Sequence, residues 1–427
     1  MSPPLAPTVD GPSSLWRGAA FNLASRITTM ALGLAILVVV ARQGPQVQGA
    51  FALFVAIESA LLAFGSGPGL LLAREAAQSH GRLAPKRVRS ILAISAAAGA
   101  AASLGLIAAS LWASAEPYRW LWVMALAAPL LLLAPTASGL WMGQGRLPAF
   151  NAAQVSAPLL VLVLVVASGV AGVTGALAVL VAWTVGKALV GAVAGAVAAY
   201  THPAAATSEA PQTPPAEAVR FMAAIALANL VSLANYRATL FVLERQHGLA
   251  EAGVYSVALQ LAELLWLLSQ AVTVSAFSRI GAPHRPTALA MTRRAVHIGV
   301  AAAAAAAPLL LMAAWFVLPS LLGQAYGAAF WPLAVLLPGV VAYAAASALS
   351  AYYTHHLGRP RWAAGIAALS LALALGGALL LAPRWGALGA AIATSLAYLV
   401  AMGVAFLSFR REAAEMPAAD SGGDNRA

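Results

Sequence analysis

The sequence predicts an all-α membrane protein in which two homologous groups of six transmembrane helices follow one another along the chain. Three observations support this prediction: the composition, the length of the apolar runs and an internal repeat. Apolar residues make up 62% of the 427 residues and charged residues only 9%, which is far from the composition of a soluble domain. The chain contains no cysteine, so disulfides, thiolate metal sites and cysteine nucleophiles are excluded.

The apolar runs are long enough to cross a membrane, because a helix of roughly 20 residues spans the hydrocarbon layer of about 30 Å. Six such runs precede a polar stretch at 200–220, and six follow it. The predicted spans are 16–40, 49–73, 90–112, 120–143, 148–170, 174–199, 221–243, 252–278, 295–317, 328–354, 362–382 and 386–408.

The polar stretch 200–220 separates two copies of a similar pattern. It contains four prolines and two glutamates and has no apolar face, so we expect a solvated, extended linker. Arg42, which closes the first apolar run, returns as Arg245 after the linker, and Gly49 returns as Gly253. Several such pairs in the same order, at a nearly constant offset, indicate a duplication.

The linker and the repeat define the predicted domain organisation. Both halves are expected to be six-helix bundles. The predicted parts are a tail at 1–15, a first bundle at 16–199, the linker at 200–220, a second bundle at 221–409 and a tail at 410–427.

Loop charges predict the orientation in the membrane. Only four of the 24 basic residues lie in the loops on one side, namely Arg42, Arg119, Arg245 and Arg384. Most of the others lie in the alternate loops and at the termini, so the positive-inside rule places both termini and the linker in the cytoplasm. An even number of helices in each half gives the halves the same orientation, with a pseudo-twofold axis along the membrane normal. We interpret the net charge of +11 as loops that face anionic lipid, not as a nucleic-acid surface.

Charged side chains within the predicted spans are the best candidates for function, since charge at membrane depth is costly. These residues are the cations Arg26, Lys187 and Arg237 and the carboxylates Glu58 and Glu263. At a rise of 1.5 Å per residue, Arg237 and Glu263 lie at similar depth and Arg26 and Glu58 lie within reach of each other. The sequence therefore predicts one Arg–Glu couple in each half, with a Lys187–Glu58 pair as the alternative. Such pairs either orient helices or line a cavity, and the sequence leaves both roles open.

A glycine-rich stretch is predicted to break the second span toward its cytoplasmic end. It contains the hinge candidates Gly65, Gly67, Pro68 and Gly69, and an ordinary irregular helix end is the alternative. The sequence contains no phosphate-binding glycine loop, metal-ligand spacing or nucleophile elbow. We therefore predict no catalytic residue, cofactor or metal, and a protein that is not an enzyme.

Short motifs near the amino terminus follow an order that is typical of one transporter family. The first run ends in Ala41-Arg42 and a Gly-Pro, then Gly49-Ala50-Phe51 follows, and a glycine-rich turn precedes Ala73-Arg74-Glu75. In this order the chain resembles polysaccharide biosynthesis membrane proteins, the O-antigen type flippases. These belong to the multidrug/oligosaccharidyl-lipid/polysaccharide exporter (MOP) superfamily. Gln43 departs from the pattern, which usually has leucine there.

The resemblance implies two six-helix bundles around a central cavity that opens alternately to each side of a bacterial inner membrane. It implies a polyprenyl-diphosphate-linked glycan as the substrate, moved to the outer leaflet for surface polysaccharide or lipopolysaccharide assembly. Expected partners are this lipid-linked glycan, membrane lipids, and a glycan polymerase or glycosyltransferases of the same pathway. Since a diphosphate needs nearby cations to cross hydrocarbon, Arg26, Lys187 and Arg237 are expected to bind the headgroup. Glu58 and Glu263 are expected to serve in coupling or ion pairing.

Three other functions remain open from the sequence. A cation-coupled multidrug exporter of the same superfamily would favour acidic and aromatic residues in its cavity. A lipid II flippase is a second alternative, but that group resembles a longer chain than this one, with two additional helices. A membrane glycan polymerase or ligase would need a catalytic acid or base and usually a substantial outer loop, which this chain lacks.

Overall fold

The structure is a computed structural model that describes residues 12–79, 81–200 and 213–414. Residues 1–11 of the predicted tail 1–15, residues 415–427 of the predicted tail 410–427 and residues 201–212 of the predicted linker lie outside the described residues. Within the described part the chain is almost entirely helical and contains no β-strand. The predicted all-α membrane fold is confirmed.

The described residues of the first half form eight α-helices and a short 3-10 helix at Tyr118–Trp120. The α-helices are α1 (Pro12–Ala41), α2 (Pro45–Phe64), α3 (Gly67–Gln78), α4 (Pro85–Trp112), α5 (Leu121–Leu131), α6 (Leu133–Gly143), α7 (Leu147–Val170) and α8 (Ala176–Tyr200). The second predicted span is interrupted between α2 and α3 at the glycine-rich stretch. The fourth is interrupted between α5 and α6, next to Pro129. Proline cannot donate a backbone hydrogen bond, so helix breaks are expected near proline-containing stretches such as these two.

The described residues of the second half form six α-helices, besides three short 3-10 or π-helical segments at Leu318–Leu322, Gln324–Ala329 and Tyr352–His356. The α-helices are α9 (Pro215–Glu263), α10 (Trp266–Ile280), α11 (Arg285–Val317), α12 (Phe330–Tyr343), α13 (Ala346–Ala351) and α14 (Pro360–Ala414). Helices α9 and α14 have 49 and 55 residues, far more than one crossing needs. Each contains one glycine with non-helical backbone angles, Gly248 and Gly386, where the chain turns. Ten continuous stretches are long and apolar enough to span a membrane, and dividing two of them at these glycines gives twelve in the described residues.

Contacts divide the chain into two units. Unit 1 comprises the residues up to Gln43 and Leu53–Leu230, and unit 2 comprises Gly44–Ala52 and the residues from Val231 onward. The first turns of α2 therefore group with unit 2, and the first turns of α9 group with unit 1.

A close contact in unit 2 joins two positions that the repeat relates. A Cβ on Gly49 would lie 1.9 Å from the backbone oxygen of Leu249, and a Cβ on Gly253 would lie 2.0 Å from that of Pro45. Gln48 Nε2 donates to Ser256 Oγ at 3.2 Å in the same contact. Only glycine permits this approach of two backbones, which explains why both copies of the repeat retain it.

The surface of both units is apolar along the spans. Leu111, Trp112 and Val170 of unit 1 are 80–92% exposed, and Leu380 of unit 2 is 75% exposed. Such exposure is costly in water but suits a hydrocarbon surrounding, so the chain is a multi-pass membrane protein.

The segment that follows the predicted linker differs from the sequence prediction. Residues from Pro215 onward are helical, and Thr213 is buried with its backbone N–H 3.3 Å from Glu75 Oε1. The prediction of an extended chain is therefore wrong for 215–220, and that of a solvated one is wrong for Thr213 and Ala218. In the first helical turn a backbone N–H has no carbonyl of the same helix to bond. Proline, which lacks this N–H, loses nothing there, so Pro215 can begin a helix.

Candidate functional site

Helix α1 carries a polar face that includes one of the predicted cations. Asn22, Ser25, Arg26 and Thr29 are spaced so that they share one side of the helix. Ser25 is buried, and its Oγ lies 3.5 Å from the backbone oxygen of Asn151 on α7. Arg26 is exposed and forms no ion pair within the described residues. The guanidinium thus lies within a spanning helix without a carboxylate partner among the described residues.

The buried carboxylate of unit 1 pairs with the lysine of α8. Lys187 Nζ lies 2.7 Å from Glu58 Oε1, and Trp183 Nε1 donates to Glu58 Oε2 at 2.6 Å. The Glu58 side chain is 2% exposed and that of Lys187 is 24% exposed. The ammonium also lies 4.8 Å from the centre of the Trp183 ring. The predicted Arg26–Glu58 couple is wrong, and the alternative Lys187–Glu58 pair is present instead. Lys187 and Trp183 lie one turn apart on α8, so both side chains reach Glu58.

A cavity of about 400 Å³ lies within unit 1, next to this pair. Its polar lining consists of Ser66, Ser138, Gln154 and Lys187, and the remaining lining is largely apolar. Asn229 Nδ2 donates to Ser66 Oγ at 2.8 Å at the break between α2 and α3. Lys187 therefore faces both a buried carboxylate and an open, largely apolar cavity with a few polar groups.

Sequence reasoning missed Asn151, Gln154 and Trp183. Asn151 and Gln154 are three residues apart on α7, and Trp183 and Lys187 are four apart on α8, so each pair shares a helix face. Polar residues at helical spacing inside an apolar run were the available signal.

The glycine-rich stretch lies at the junction of α2 and α3. A Cβ on Gly67 would lie 2.6 Å from Met222 Cβ, and a Cβ on Gly69 would lie 2.6 Å from the backbone oxygen of Pro135. Gly65 similarly lies against the side chain of Leu132. Together with Pro68, these glycines are buried in close helix contacts. A hinge role for them stays a prediction.

Unit 2 holds the second deep ion pair. Arg237 Nη1 donates to Glu263 Oε1 and Arg237 Nη2 donates to Glu263 Oε2, both at 2.8 Å. The two side chains are 26% and 18% exposed. A bidentate pair of this kind has a fixed geometry as well as a favourable energy. The structure thus joins the two residues that the depth argument placed together.

Four aromatic side chains pack against one another in unit 2. Two of them, Tyr236 and Trp266, lie next to Arg237 and three residues after Glu263 in the chain, respectively. The Trp266 ring centre lies 5.2 Å from that of Tyr236, 5.6 Å from that of Tyr343 and 5.9 Å from that of Tyr398. Asn235 Nδ2 donates to the hydroxyl of Tyr343 at 3.1 Å. These four rings form the aromatic cluster of unit 2.

A third charged pair joins Glu75 on α3, outside the candidate spans, to Arg87 in the first turn of α4. Arg87 donates to both oxygens of Glu75, from Nε at 3.0 Å and from Nη2 at 2.7 Å. Burial by itself raises the pKa of Glu75. The hydrogen bonds and charge of Arg87 and the N–H of Thr213 lower the pKa by more, so the net value lies below the ordinary 4.5. Glu75 therefore stays ionised, and its hydrogen bond from the N–H of Thr213 positions the chain that follows the linker.

Among the described residues, no group of three or more histidine, cysteine or acidic side chains has the proximity that a metal ion requires. The charged groups above are therefore the candidate functional groups.

No protein-family profile matches the sequence. No curated protein matches it significantly either. Solved structures do resemble it over nearly the whole chain. A multidrug resistance MATE transporter of the MOP superfamily, in an inward-facing conformation, aligns with a TM-score of 0.76 and 16% identity. The alignment covers 93% of this chain and 98% of that one. This chain has the MOP transporter fold.

Two further structures with the MOP fold show how widely the sequences differ. The lipid II flippase MurJ, in an inward closed conformation, aligns with a TM-score of 0.72 and 12% identity over 92% of this chain and 87% of that one. A MOP superfamily transporter from Pyrococcus furiosus aligns with a TM-score of 0.61 and 15% identity over 93% of this chain and 95% of that one. Its description states that the reverse polarity of its binding pocket suggests a different function. At these identities the similarity shows the MOP fold alone, so the substrate must be argued from the charged groups.

Proposed function

We propose that this protein is a flippase that moves a polyprenyl-diphosphate-linked oligosaccharide to the outer leaflet by alternating access. The observation that supports this most is Arg26, an exposed arginine on the polar face of a spanning helix with no ion pair in the described residues. A lone arginine at membrane depth costs several kcal/mol unless water or an anion solvates it. A diphosphate headgroup is an anion that this guanidinium can bind through two parallel hydrogen bonds.

The unit 1 cavity supports the same substrate class. Its serines and Gln154 offer hydrogen bonds to sugar hydroxyls and phosphate oxygens, and Lys187 supplies a second cation at its wall. Glu58 balances the charge of Lys187 when no substrate is bound. Within the spanning segments three cations stand against two carboxylates, so the net charge favours an anionic headgroup.

In unit 2 we assign Arg237 and Glu263 to coupling. Their separation during the transport cycle would release a carboxylate that binds a proton or a cation. In the structure each oxygen of Glu263 accepts one hydrogen bond from Arg237.

The topology belongs to the same proposal. The asymmetry of the loop charges supports a bacterial inner-membrane location with both termini and the linker in the cytoplasm. A glycan polymerase or glycosyltransferases of the same pathway are the expected partners.

The alternative function is export of organic cations, and one observation favours it. The aromatic cluster of unit 2 lies beside Glu263, and aromatic faces with a carboxylate bind cations. Lys187 and Arg237 are both neutralised by carboxylates, which reduces the positive potential at these two sites.

The test uses purified protein in proteoliposomes with a fluorescent polyprenyl-diphosphate N-acetylglucosamine as the lipid substrate. Flipping is measured by the access of an added glycosidase to the sugar. Arg26→Gln should reduce the rate about tenfold or more, since a hydrogen bond to a charged group contributes roughly 1.5–3 kcal/mol. Arg26→Lys should retain part of the rate if charge alone matters.

The matched control is Arg82→Gln, which removes an exposed arginine from a loop outside the spans. A wild-type flipping rate in Arg26→Gln would refute the assignment of Arg26. A protein that expels ethidium from vesicles but does not flip the lipid is an exporter, and the flippase proposal fails.

To test Lys187, its partner must be removed as well. Lys187→Met alone leaves Glu58 as a buried unpaired charge, which costs about 3–5 kcal/mol. The double variant Glu58→Gln/Lys187→Met avoids this penalty. It should fold and still lose flipping if Lys187 binds the headgroup.

A further inference from the structure

Unit 2 contains an open apolar groove that lies apart from its ion pair. The groove has a volume of about 490 Å³ and runs between α11, the α12–α13 segment and the second part of α14. Its lining includes His297 and Ala301 on α11, Ala342 on α12, and Leu399, Gly403 and Phe406 on α14. Small residues at Ala301, Ala342 and Gly403 leave the space that larger side chains would fill.

The groove lies at the level of the spanning segments. Along α14 its lining extends over eight residues, from Leu399 to Phe406, which corresponds to about 10 Å. This is roughly a third of the hydrocarbon thickness of a bilayer. Neighbouring apolar side chains such as Ile298 and Leu407 are 44% and 58% exposed. The groove therefore opens toward the hydrocarbon of the bilayer. Since lipid chains surround this surface, a lipid chain is the expected occupant.

One end of the groove is basic. Arg285 Nη2 donates to the backbone oxygen of Glu412 at 2.6 Å, so the start of α11 and the end of α14 lie at the same end of unit 2. Toward this end Arg293 lies one turn from His297, whose Nδ1 bonds the Arg293 carbonyl at 2.7 Å. Arg410 lies one turn beyond Phe406 on α14.

Helix geometry directs these two arginines toward a common region. Side chains on a helix lean toward its amino terminus, so Arg293 extends toward the charged end and Arg410 leans back toward the groove. Both are exposed, and neither has an ion-pair partner in the part of the chain that the structure describes. Glu412, the nearest carboxylate along α14, is already bound by Arg285 and Arg359. The groove thus ends at two uncompensated positive charges.

We propose that this groove binds one anionic membrane phospholipid, with an acyl chain along α11 and α14 and its phosphate between Arg293 and Arg410. The apolar lining matches a hydrocarbon chain, and the unpaired arginines match a negatively charged headgroup. A zwitterionic lipid offers the same chain but no net charge, so the arginines determine the preference. The site lies within unit 2 and is separate from the charged groups assigned to transport.

Binding is tested on the full-length protein by native mass spectrometry with dioleoylphosphatidylglycerol and dioleoylphosphatidylcholine added in equal amounts. We expect the wild type to retain one phosphatidylglycerol in preference to phosphatidylcholine. Arg293→Gln and Arg410→Gln should each weaken this preference about fivefold, since one basic residue near an anionic lipid surface contributes about that factor. Equal retention of the two lipids by the wild type would overturn the proposal.

Gly403→Leu tests the groove itself. A Cβ at Gly403 meets no atom within 4 Å, so a larger side chain fills the groove without a backbone clash. The matched control is Gly376→Leu, at another exposed helical glycine of α14 with no atom within 4 Å. Only Gly403→Leu should remove the retained phosphatidylglycerol. Unchanged retention in that variant would show that the lipid binds elsewhere.

A second measurement distinguishes the occupants. Phosphatidylglycerol with a photoreactive diazirine in its acyl chain should crosslink to peptides that contain 296–301 and 399–406. Crosslinks spread evenly over the spans, or complete displacement by an equal amount of undecaprenyl phosphate, would contradict a phospholipid site.

Discussion

The contact between α3 and α6 gives a prediction that can be worked out from the backbone alone. A Cβ on Gly139 would lie 2.0 Å from the backbone oxygen of Gly69 and 2.8 Å from its Cα. A Cβ on Gly143, one turn further, would lie 2.4 Å from the backbone oxygen of Ala73. Because these neighbours are backbone atoms, Gly139→Ala can be accommodated only if the two helices separate by about 1 Å.

Two opposing terms determine the size of the effect. Alanine is more favourable than glycine in a helix interior by about 1 kcal/mol. Overpacking of a buried contact costs about 1–3 kcal/mol, and the backbone clash places Gly139 at the upper end. The net result is a destabilisation of about 2 kcal/mol. Gly105→Ala, at a helical glycine of α4 with no atom within 4 Å, should instead stabilise by about 1 kcal/mol.

The assay is thermal unfolding of the purified protein in detergent, followed by the fluorescence of its 11 tryptophans. Thiol-reactive dyes are unsuitable because the chain lacks cysteine. At roughly 2 °C per kcal/mol for a cooperative unit of about 200 residues, Gly139→Ala and Gly105→Ala should differ in Tm by about 6 °C. They should lie on opposite sides of the wild type.

A Gly139→Ala variant that melts at or above the wild-type temperature would refute the close-packing argument. If Gly139→Ala keeps the wild-type Tm but slows transport, this region acts as a hinge. That result would support the role predicted from the sequence for the glycines at the end of α2.

Three further predictions concern the charged groups and the topology. Glu75→Gln should destabilise the protein by about 3 kcal/mol at pH 7, because it leaves Arg87 without its buried partner. The folded pKa of Glu75 is lowered, so its stabilisation is present above the unfolded value and is lost as the pH falls through the folded value. The Tm difference between wild type and Glu75→Gln should therefore shrink below about pH 4.5, and a constant difference would contradict the argument. Glu263→Gln in proteoliposomes with an imposed proton or sodium gradient should lose gradient stimulation and retain downhill flipping, whereas unchanged gradient dependence would make the residue structural. Single cysteines at Ala205 and Ala250 should label with an impermeant reagent from opposite sides of the membrane, and labelling from one side would refute the predicted topology.

Local sequence features were sufficient to predict the architecture. Membrane spans are encoded by the length of apolar runs, and helix breaks by proline and glycine, so both can be read without knowledge of the neighbours. The junction of α2 and α3 at the glycine-rich stretch and the break next to Pro129 follow from backbone chemistry of this kind. The Arg237–Glu263 pair was also accessible, because two residues on consecutive spans at equal depth have few other partners.

The partner of Glu58 required the tertiary structure. Depth along the membrane normal follows from residue counting, but the direction in which a side chain points depends on helix rotation. A span that is apolar on every side carries no periodic signal that defines this rotation. Helix packing brings Trp183 and Lys187 to Glu58 and leaves Arg26 exposed on another face.

The glycine contacts show the same distinction. The sequence marks Gly69 as a flexible position, and only the packing of α3 on α6 shows that it faces Gly139 at a distance too short for a Cβ. Glycine in a sequence indicates either conformational freedom or a close contact, because the absence of a side chain permits both. Which of the two applies depends on the neighbouring helix, and that neighbour is placed only when the whole unit folds.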